Sequence, residues 1–313
     1  MKVFLVVGEA SGDRLGASLM QGMKKLTKKV EFKGIFGPEM EIDGLKSLFE
    51  MSELSVMGVT EILPKYSKLR RRLSQTVEAV LDYKPDLLIT IDSPEFCLRV
   101  AKKVRAANLN IRTIHYVAPT VWAWRPKRAK KMAHFIDHVL ALFPFEPPYM
   151  EAEGMDCDFV GHPIAAMGPI APKKISSFQK KYKIDPVQPS LVILPGSRLS
   201  EVQRLLPIFC NVLRRNEFSN FQLIFPTLPH LREYIANVIS DLPHKTYVIT
   251  GQNLTAEEAT QQRFVAFSSA QVALAASGTV SLELASVGTP MVIAYDMSWL
   301  SRWFITAMLR IDT

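Results

Sequence analysis

Short runs of aliphatic and β-branched residues alternate along this chain with longer segments whose apolar residues recur every three to four positions. The short runs are nearly uninterrupted, which is typical of parallel strands covered on both faces. The longer segments have the periodicity of amphipathic helices, so the pattern favours open α/β sheets. The predicted strands are Lys2–Val7, Asp86–Ile91, Arg112–Val117, His138–Phe143, Ser190–Leu194, Gln222–Phe225, Thr246–Ile249, Gln271–Ala275 and Pro290–Ala294.

This alternation starts afresh in the middle of the chain. Each half opens with a strand and a glycine-containing turn, VVGEASGD in the first half and LVILPGSR in the second. Between them, the stretch from Pro163 to Pro189 is rich in proline and lysine and has the composition of a linker. A length of 313 residues also suggests two domains. The sequence therefore predicts two Rossmann-like domains, residues 1–165 and 166–313, that face each other across a cleft.

The net charge and the cysteine content indicate which classes of ligand and of site this chain can have. The net charge is +8, which favours nucleotides, nucleic acid or an anionic membrane surface without choosing among them. Three widely spaced cysteines exclude a disulfide scaffold and a cysteine-rich zinc site, and they are compatible with a reducing, cytoplasmic setting. There is no HExxH, no DxD and no cluster of histidine and cysteine, so no metal is predicted.

The turn after the first strand, Gly8–Asp13, carries two carboxylates, Glu9 and Asp13. Its glycines allow backbone amides to approach a ligand at a helix N-terminus, but the turn is not GxGxxG and does not indicate a dinucleotide site. Two carboxylates suit a sugar hydroxyl better than a phosphate. The alternative is a tight turn in which Asp13 caps the following helix.

Two further strand ends carry candidate residues. Asp92 follows a buried strand, where open α/β sheets bind ligands, and a carboxylate there can act as a general base. The alternative is that Asp92 caps the helix that begins near Pro94. After the next strand, Trp122 and Trp124 beside Arg125 can line a sugar or acyl site and hold a phosphate. A packed corner of the core is the alternative, and it is favoured for Trp122.

The second half has two turns that suit a nucleoside diphosphate. A small loop with an arginine follows its first strand, and a second small loop opens a later helix, so that amides and a guanidinium all point at an anion. Glu283 lies one turn further along that helix, where it can accept hydrogen bonds from ribose hydroxyls. The residues of the two loops are Gly196, Ser197, Arg198, Ser277, Gly278 and Thr279.

Two segments combine apolar and basic residues, which suits acyl chains or an anionic lipid surface. The first precedes the basic run at Arg70–Arg72, and the second is the helical pattern Trp299–Met308 near the C-terminus. The alternative for each is a helix with a core-facing apolar side and a solvated basic side. The apolar residues of the first segment are Met57, Val59, Ile62, Leu63, Tyr66 and Leu69.

Taken together, these motifs resemble one family, the lipid-A-disaccharide synthases, which are bacterial glycosyltransferases with the two-domain GT-B fold. The matching pieces occur in the same order over nearly the whole chain, which makes the resemblance specific. They are GEASGD at Gly8–Asp13, FGPEM at Phe36–Met40, LSVMGVTEILP at Leu54–Pro64, IDSPEF at Ile91–Phe96, HYVAPTVWAWR at His115–Arg125, PFEPPY at Pro144–Tyr149, VGHP at Val160–Pro163, LPGSR at Leu194–Arg198, ASGTVSLELA at Ala276–Ala285 and PMVIAY at Pro290–Tyr295.

The resemblance implies an inverting transfer from UDP-2,3-diacylglucosamine to the 6-hydroxyl of 2,3-diacylglucosamine 1-phosphate, giving a β-1,6-linked disaccharide 1-phosphate and UDP. Asp92 is the first choice for the base, with Asp13 and Glu9 as the runners-up. The two loops of the second half and Glu283 become donor-nucleotide contacts, and the first amphipathic segment becomes the acyl and membrane contact. No cofactor and no nucleic acid are implied, and an oligomer is left open.

The resemblance also implies a cytoplasmic protein bound peripherally to the inner face of the inner membrane. Family members continue beyond the position of Thr313, so the second domain is expected to be incomplete in this chain, as a truncation or with a partner completing it. The competing interpretation is another GT-B enzyme that uses UDP-N-acetylglucosamine, either a 2-epimerase or the peptidoglycan glycosyltransferase. The segments at Leu54–Pro64 and His115–Arg125 favour the lipid-A-disaccharide synthases over both of these enzymes.

Overall fold

The computed structural model describes residues 1–27, 29–41, 44–54, 59–166 and 168–296. The chain divides into two compact units between Pro163 and Ile164, here called unit 1 and unit 2. Each unit is built on one parallel β-sheet with helices between successive strands. The α/β class predicted from the apolar runs is therefore confirmed.

Unit 1 contains a six-stranded sheet in the order β2-β1-β3-β4-β5-β6. The inner strands are buried on both faces, as their uninterrupted apolar sequences require. The strands are β1 (Lys2–Val7), β2 (Glu31–Ile35), β3 (Leu87–Ile91), β4 (Arg112–Tyr116), β5 (His138–Ala141) and β6 (Asp156–Phe159). The helices are α1 (Ala10–Leu26), α2 (Pro38–Glu41), α3 (Val59–Tyr83), α4 (Pro94–Ala107), α5 (Lys127–Met132) and α6 (Pro147–Glu151).

Unit 2 contains a five-stranded sheet in the order β11-β10-β7-β8-β9, which is the order of a Rossmann half-sheet extended by two strands. The strands are β7 (Ser190–Leu194), β8 (Gln222–Thr227), β9 (Thr246–Thr250), β10 (Val272–Ala276) and β11 (Met291–Ala294). The helices are α7 (Pro172–Tyr182), α8 (Leu199–Leu213), α9 (Arg232–Val238), α10 (Ala256–Ser268) and α11 (Val280–Ser286).

Part of the stretch predicted as a linker is a folded element of unit 2. Helix α7 lies within it, buries Phe178 and is tied to α10 by a 2.7 Å hydrogen bond from Gln262 Nε2 to Tyr182 Oη. Its many lysines face solvent, so composition alone suggested a linker.

Each sheet has one place where the order of the strands reverses, between β1 and β3 in unit 1 and between β7 and β10 in unit 2. The turns after two such strands leave the same edge of the sheet side by side, and open α/β sheets bind ligands there. Among the residues that the structure describes, none of the helices combines the length and apolar character that a bilayer-spanning segment requires.

Candidate functional site

At the reversal point of unit 1, the turn after β1 lies directly against the turn after β3. A Cβ atom added at Gly8 would lie 2.5 Å from Oγ of Ser93, and one added at Gly12 would lie 3.3 Å from the carbonyl oxygen of Ile91. The absence of a side chain at Gly8 therefore allows the two turns to approach. This close approach brings Glu9 and Ser11 of the first turn to Asp92 and Ser93 of the second.

Asp92 is held by one donor on each carboxylate oxygen. The hydroxyl of Ser11 donates to Oδ2 at 2.9 Å, and the backbone N–H of Ser93 donates to Oδ1 at 2.8 Å. Each carboxylate oxygen can accept two hydrogen bonds, so both keep acceptor capacity for a substrate hydroxyl. Asp92 is half-buried, as a group that meets a ligand at a sheet edge should be.

The alternative role of Asp92, as the cap of α4, is not observed. The N-cap residue of α4 is Ser93, which makes no capping hydrogen bond with its side chain. Asp92 and Ser93 both adopt left-handed backbone conformations, with φ of 53° and 42°. Non-glycine residues rarely occupy this region, and strain of this kind is concentrated at functional sites.

Glu9 belongs to the same group of side chains. The hydroxyl of Ser93 donates to Oε1 of Glu9 at 3.3 Å. Beneath both turns, the buried thiol of Cys97 donates to the carbonyl oxygens of Val6 and Ile91. Burial raises the pKa of this thiol, and the negative charges of Asp92 and Glu9 act in the same direction, so Cys97 stays protonated and has a structural role.

Asp13 is placed differently from the other two carboxylates. It lies in the first turn of α1 and is only 2% exposed, and its carboxylate accepts hydrogen bonds from the backbone N–H groups of Gly37, Glu39 and Met40 at the start of α2. The expectation that Asp13 caps α1 is therefore wrong, since Glu9 occupies the N-cap position and Asp13 caps α2. Burial raises the pKa of Asp13, and the three amides act against this effect.

The turn after β4 brings aromatic and basic side chains to the same edge of the sheet. Trp122 packs edge-on against Phe145 with ring centroids 5.3 Å apart, which agrees with a packed corner. Arg125 is exposed, with its guanidinium 4.3 Å from the ring of Trp124 and 3.0 Å from a carboxylate oxygen of Glu95. Trp122 is half-buried, whereas Arg125 presents its charge at the surface, and the contact of either residue with the acceptor remains a prediction.

In unit 2, the loop after β7 is arranged around Glu201. The backbone N–H groups of Ser197 and Arg198 donate to Oε2 of Glu201 at 3.2 and 3.4 Å, and Nη1 of Arg198 donates to Oε1 at 3.1 Å. Gly196 has a φ of 128°, and a Cβ atom there would lie 2.8 Å from Glu201. Arg198 is the N-cap residue of α8 and remains half-exposed, so it can reach a ligand.

The second loop of unit 2 follows the neighbouring strand. Strands β7 and β10 are paired in parallel, so the loops after them lie side by side. Ser277, Gly278 and Thr279 are all exposed, and Thr279 is the N-cap residue of α11. The structure therefore brings the two predicted loops to one edge of the sheet.

Glu283 is buried, unlike the exposed residues Ser277, Gly278 and Thr279. It is 5% exposed, and its Oε1 accepts a 2.7 Å hydrogen bond from Nη2 of Arg263 on α10. This ion pair joins α10 to α11. The predicted contact of Glu283 with a ribose remains a prediction.

The structure describes only some of the residues that are predicted to contact acyl chains or the membrane. Met57 and the pattern Trp299–Met308 lie outside the described residues. Helix α3 begins at Val59, but the side chains of Val59, Ile62 and Leu63 are not among those described. Tyr66 is exposed, and Leu69 packs against the core of unit 1. Among the described residues, no group of three or more histidine, cysteine, aspartate or glutamate side chains is arranged to hold a metal ion.

Several site residues were missed from the sequence. Ser11 lies inside the first motif, but nothing in the motif says that it contacts a residue 81 positions away. Glu201 follows Arg198 at the spacing of a capping box, which is a local signal that could have found it. Arg263 carries no local signal, because only the packing of α10 against α11 places it beside Glu283.

Comparison with known sequences gives one consistent result. Residues 3–313 match the family described as lipid-A-disaccharide synthetase. The lipid-A-disaccharide synthase of Ruegeria pomeroyi is 50% identical over 315 residues, covering 100% of this chain and 78% of the relative. The enzyme of the same name from Rhodospirillum centenum is 43% identical over 312 residues, covering 99% of this chain and 76% of the relative.

Comparison with solved structures identifies the fold. The UDP-GlcNAc 2-epimerase of Neisseria meningitidis bound to UDP-GlcNAc has a TM-score of 0.62 at 14% identity, covering 98% of this chain and 85% of that one. The UDP-GlcNAc 2-epimerase of Methanocaldococcus jannaschii in complex with UDP-GlcNAc and UDP also has a TM-score of 0.62 at 14% identity, covering 94% and 83%. At this identity the likeness concerns the fold alone, and it confirms the predicted GT-B fold.

Proposed function

We propose, from the premise that the chain belongs to the lipid-A-disaccharide synthetase family, that it transfers 2,3-diacylglucosamine from UDP to the 6-hydroxyl of 2,3-diacylglucosamine 1-phosphate. The chain is a glycosyltransferase of lipid A biosynthesis, and its substrates are a UDP-sugar and a lipid-linked sugar phosphate. The observation that supports the finer proposal is that each sheet carries candidate residues at its own reversal point: a half-buried aspartate in unit 1, and two exposed loops in unit 2.

The acceptor chemistry is assigned to Asp92. In an inverting transfer, the acceptor oxygen forms a bond to the anomeric carbon while the bond from that carbon to the diphosphate oxygen breaks. The acceptor hydroxyl must lose its proton, and a carboxylate within hydrogen-bonding reach can take it. Asp92 is already oriented by Ser11 and by the Ser93 amide and retains free acceptor positions. Glu9 orients Ser93 and is the second candidate for the base.

The donor chemistry is assigned to unit 2. The leaving UDP gains negative charge on its diphosphate, and fixed donors aimed at that charge lower the barrier. The guanidinium of Arg198 and the backbone amides of Gly278 and Thr279 are such donors, since both loops end neighbouring strands. The backbone amide of Ser277 donates to the carbonyl oxygen of Ala294, so Ser277 is proposed to contact the nucleotide through its hydroxyl. Ser197 and Gly196 complete the first loop, and Glu283 is proposed to contact the ribose from its position on α11.

We propose peripheral attachment to the inner face of the inner membrane for the same enzyme. Its net charge of +8 favours an anionic surface. On α3, Tyr66, Arg70 and Arg71 are exposed beside the segment predicted to contact acyl chains. An apolar stripe flanked by arginines is the pattern of a helix that lies at a bilayer surface.

The test of this function is a product assay with labelled lipid. The chain is expected to convert UDP-2,3-diacylglucosamine and the diacylated 1-phosphate into a disaccharide 1-phosphate that thin-layer chromatography resolves. Unacylated UDP-N-acetylglucosamine serves as the control donor. Turnover of that donor alone would support the 2-epimerase or peptidoglycan alternative, which the family assignment and the relatives do not favour.

Arg198→Ala is expected to weaken UDP binding by about 10–100-fold, because a charge-assisted contact to a diphosphate is worth about 1.5–3 kcal/mol. Calorimetry with UDP measures the effect. Arg204→Ala is the matched control, since Arg204 is an exposed arginine on the same helix α8. Equal affinities of the two variants would remove Arg198 from the donor site.

A further inference from the structure

Three arginines of unit 1 surround a single carboxylate near Asp92. Glu95, in the first turn of α4, lies 3.0 Å from Nη1 of Arg125, 2.5 Å from Nη2 of Arg128 and 3.6 Å from Nη2 of Arg99. We call Arg99, Arg125 and Arg128 the arginine cluster. One carboxylate neutralises one of these charges, so the cluster has an excess of two positive charges. Among the described residues, the cluster makes no ion pair with another acid.

The excess charge is fixed in place. The side chain of Arg128 is only 17% exposed, whereas that of Glu95 is 62% exposed, so the carboxylate can turn to solvent more easily than the guanidinium. The imidazole of His115 is fully buried and shares one hydrogen bond, between its Nδ1 and Oγ1 of Thr90. Burial, followed by the charge of Arg128, lowers the pKa of His115 to about 4, so His115 is neutral and adds no counter-charge.

The second arginine is aimed by its backbone. Arg125 has a φ of 51°, a left-handed conformation that is uncommon outside glycine, and its guanidinium stacks on Trp124. A stacked planar guanidinium loses less freedom when it binds a second group and suits the paired oxygens of a phosphate. Glu95 occupies the position that such an anion would take, with its two oxygens toward the arginines.

The cluster also lies close to the proposed base along the chain. Asp92 and Glu95 are three residues apart, so their Cα atoms are at most about 11 Å from each other. In the acceptor named above, the reacting hydroxyl is on C6, which is attached to C5, and the phosphate is on C1. These two ring carbons flank the ring oxygen, so both groups lie on one pyranose. A ligand with its hydroxyl at Asp92 can therefore extend its phosphate toward the arginine cluster.

We propose that the arginine cluster binds the phosphate monoester of the acceptor sugar, with Glu95 as the group that the phosphate displaces. This inference rests on the proposed function for the identity of the acceptor. The cluster makes the enzyme select a phosphorylated acceptor, because a neutral hydroxyl at the same carbon leaves the arginines with Glu95 alone. All four residues of this proposed phosphate site belong to unit 1, whereas the donor loops belong to unit 2.

The test compares glucosamine 1-phosphate with glucosamine as water-soluble probes, using calorimetry. The parent protein is expected to bind the phosphate ester and to show at least ten times weaker binding of glucosamine. Arg125→Gln and Arg128→Gln are expected to weaken binding of the ester about tenfold or more. Arg112→Gln is the matched control, because Arg112 is an exposed arginine paired with Asp156 at the opposite end of β4.

Glu95→Gln separates a binding role from a structural one. If Glu95 competes with the phosphate, its neutralisation is expected to tighten binding of glucosamine 1-phosphate several-fold. Weaker binding in Glu95→Gln, or equal binding of both probes by the parent, would overturn the inference. Loss of binding to phosphatidylglycerol vesicles in the arginine variants, with binding of the ester unchanged, would assign the cluster to lipid headgroups and overturn it as well.

The same variants distinguish this inference from the proposed function. In the lipid product assay, the arginine variants are expected to raise KM for the phosphorylated acceptor and to leave KM for the donor unchanged. Product formation without discrimination between the two soluble probes means that the function stands and the phosphate site fails. Discrimination without product means that the phosphate site stands and the transfer reaction fails.

Discussion

Asp92→Asn is expected to lower turnover by about 10²–10⁴-fold, the range that a positioned general base contributes. The amide has the same shape as the carboxylate and can still accept a hydrogen bond from Ser11 or from the Ser93 amide. It cannot take a proton from the acceptor hydroxyl. The loss should therefore appear in kcat, while thermal stability and UDP affinity remain at the values of the parent protein.

The measurement is a steady-state assay with both lipid substrates, together with calorimetry for UDP. Glu9→Gln is the matched control, because Glu9 belongs to the same group of side chains and is linked to Asp92 through Ser93. Glu9→Gln is expected to have the smaller effect. A larger loss in Glu9→Gln than in Asp92→Asn would transfer the role of the base to Glu9.

Ser11 explains why this aspartate, among several at strand ends, is suited to the role. A carboxylate that turns freely would spend much of its time away from the acceptor, and the hydroxyl of Ser11 fixes one of its oxygens. The contact crosses from the turn after β1 to the turn after β3, and it exists because Gly8 lets these turns approach. The family motifs at both turns are thus parts of one structural unit.

The sequence predicted the inner strands of both sheets and the edge strands of unit 2, but it missed the edge strands of unit 1. Uninterrupted apolar runs identified nine strands, with ends that differ from the structure by at most two residues. Two strands were missed, β2 (Glu31–Ile35) and β6 (Asp156–Phe159), which are the two edges of the sheet in unit 1. Edge strands are covered less, so β6 carries two aspartates and has no apolar run.

The candidate site was predicted where its chemistry is local and mispredicted where it depends on distant partners. The loops after β7 and β10 could be identified because glycine, serine and arginine at strand ends are a local signal. The alternative roles of Asp13 and Asp92 as caps of α1 and α4 are not observed, because Glu9 and Ser93 occupy those N-cap positions. The partner of Asp13 is instead a helix start 24 to 27 residues away. The burial of Glu283 against Arg263 depends on the packing of two helices, which periodicity does not show.

Asp13→Ala is expected to destabilise the protein by about 2–4 kcal/mol, since an acceptor lost from a buried backbone amide costs about 1–3 kcal/mol and such losses are not additive. The amides of Gly37 and Glu39 depend on this one carboxylate, whereas the amide of Met40 donates both to it and to the carbonyl oxygen of Gly37. Water cannot easily replace it, because Asp13 is almost completely buried. Urea unfolding curves of the parent and the variant measure the difference.

Asp86→Ala is the matched control for this prediction. Asp86 also accepts a hydrogen bond from a backbone amide, that of Lys2 at 2.7 Å, but it does so at the surface, where water can replace it. Its removal is expected to cost less than about 1 kcal/mol. Equal costs for the two variants would contradict the buried capping role. Equal costs would also strengthen Asp13 as a candidate for the base, since a carboxylate that contributes little to stability is free to serve the reaction.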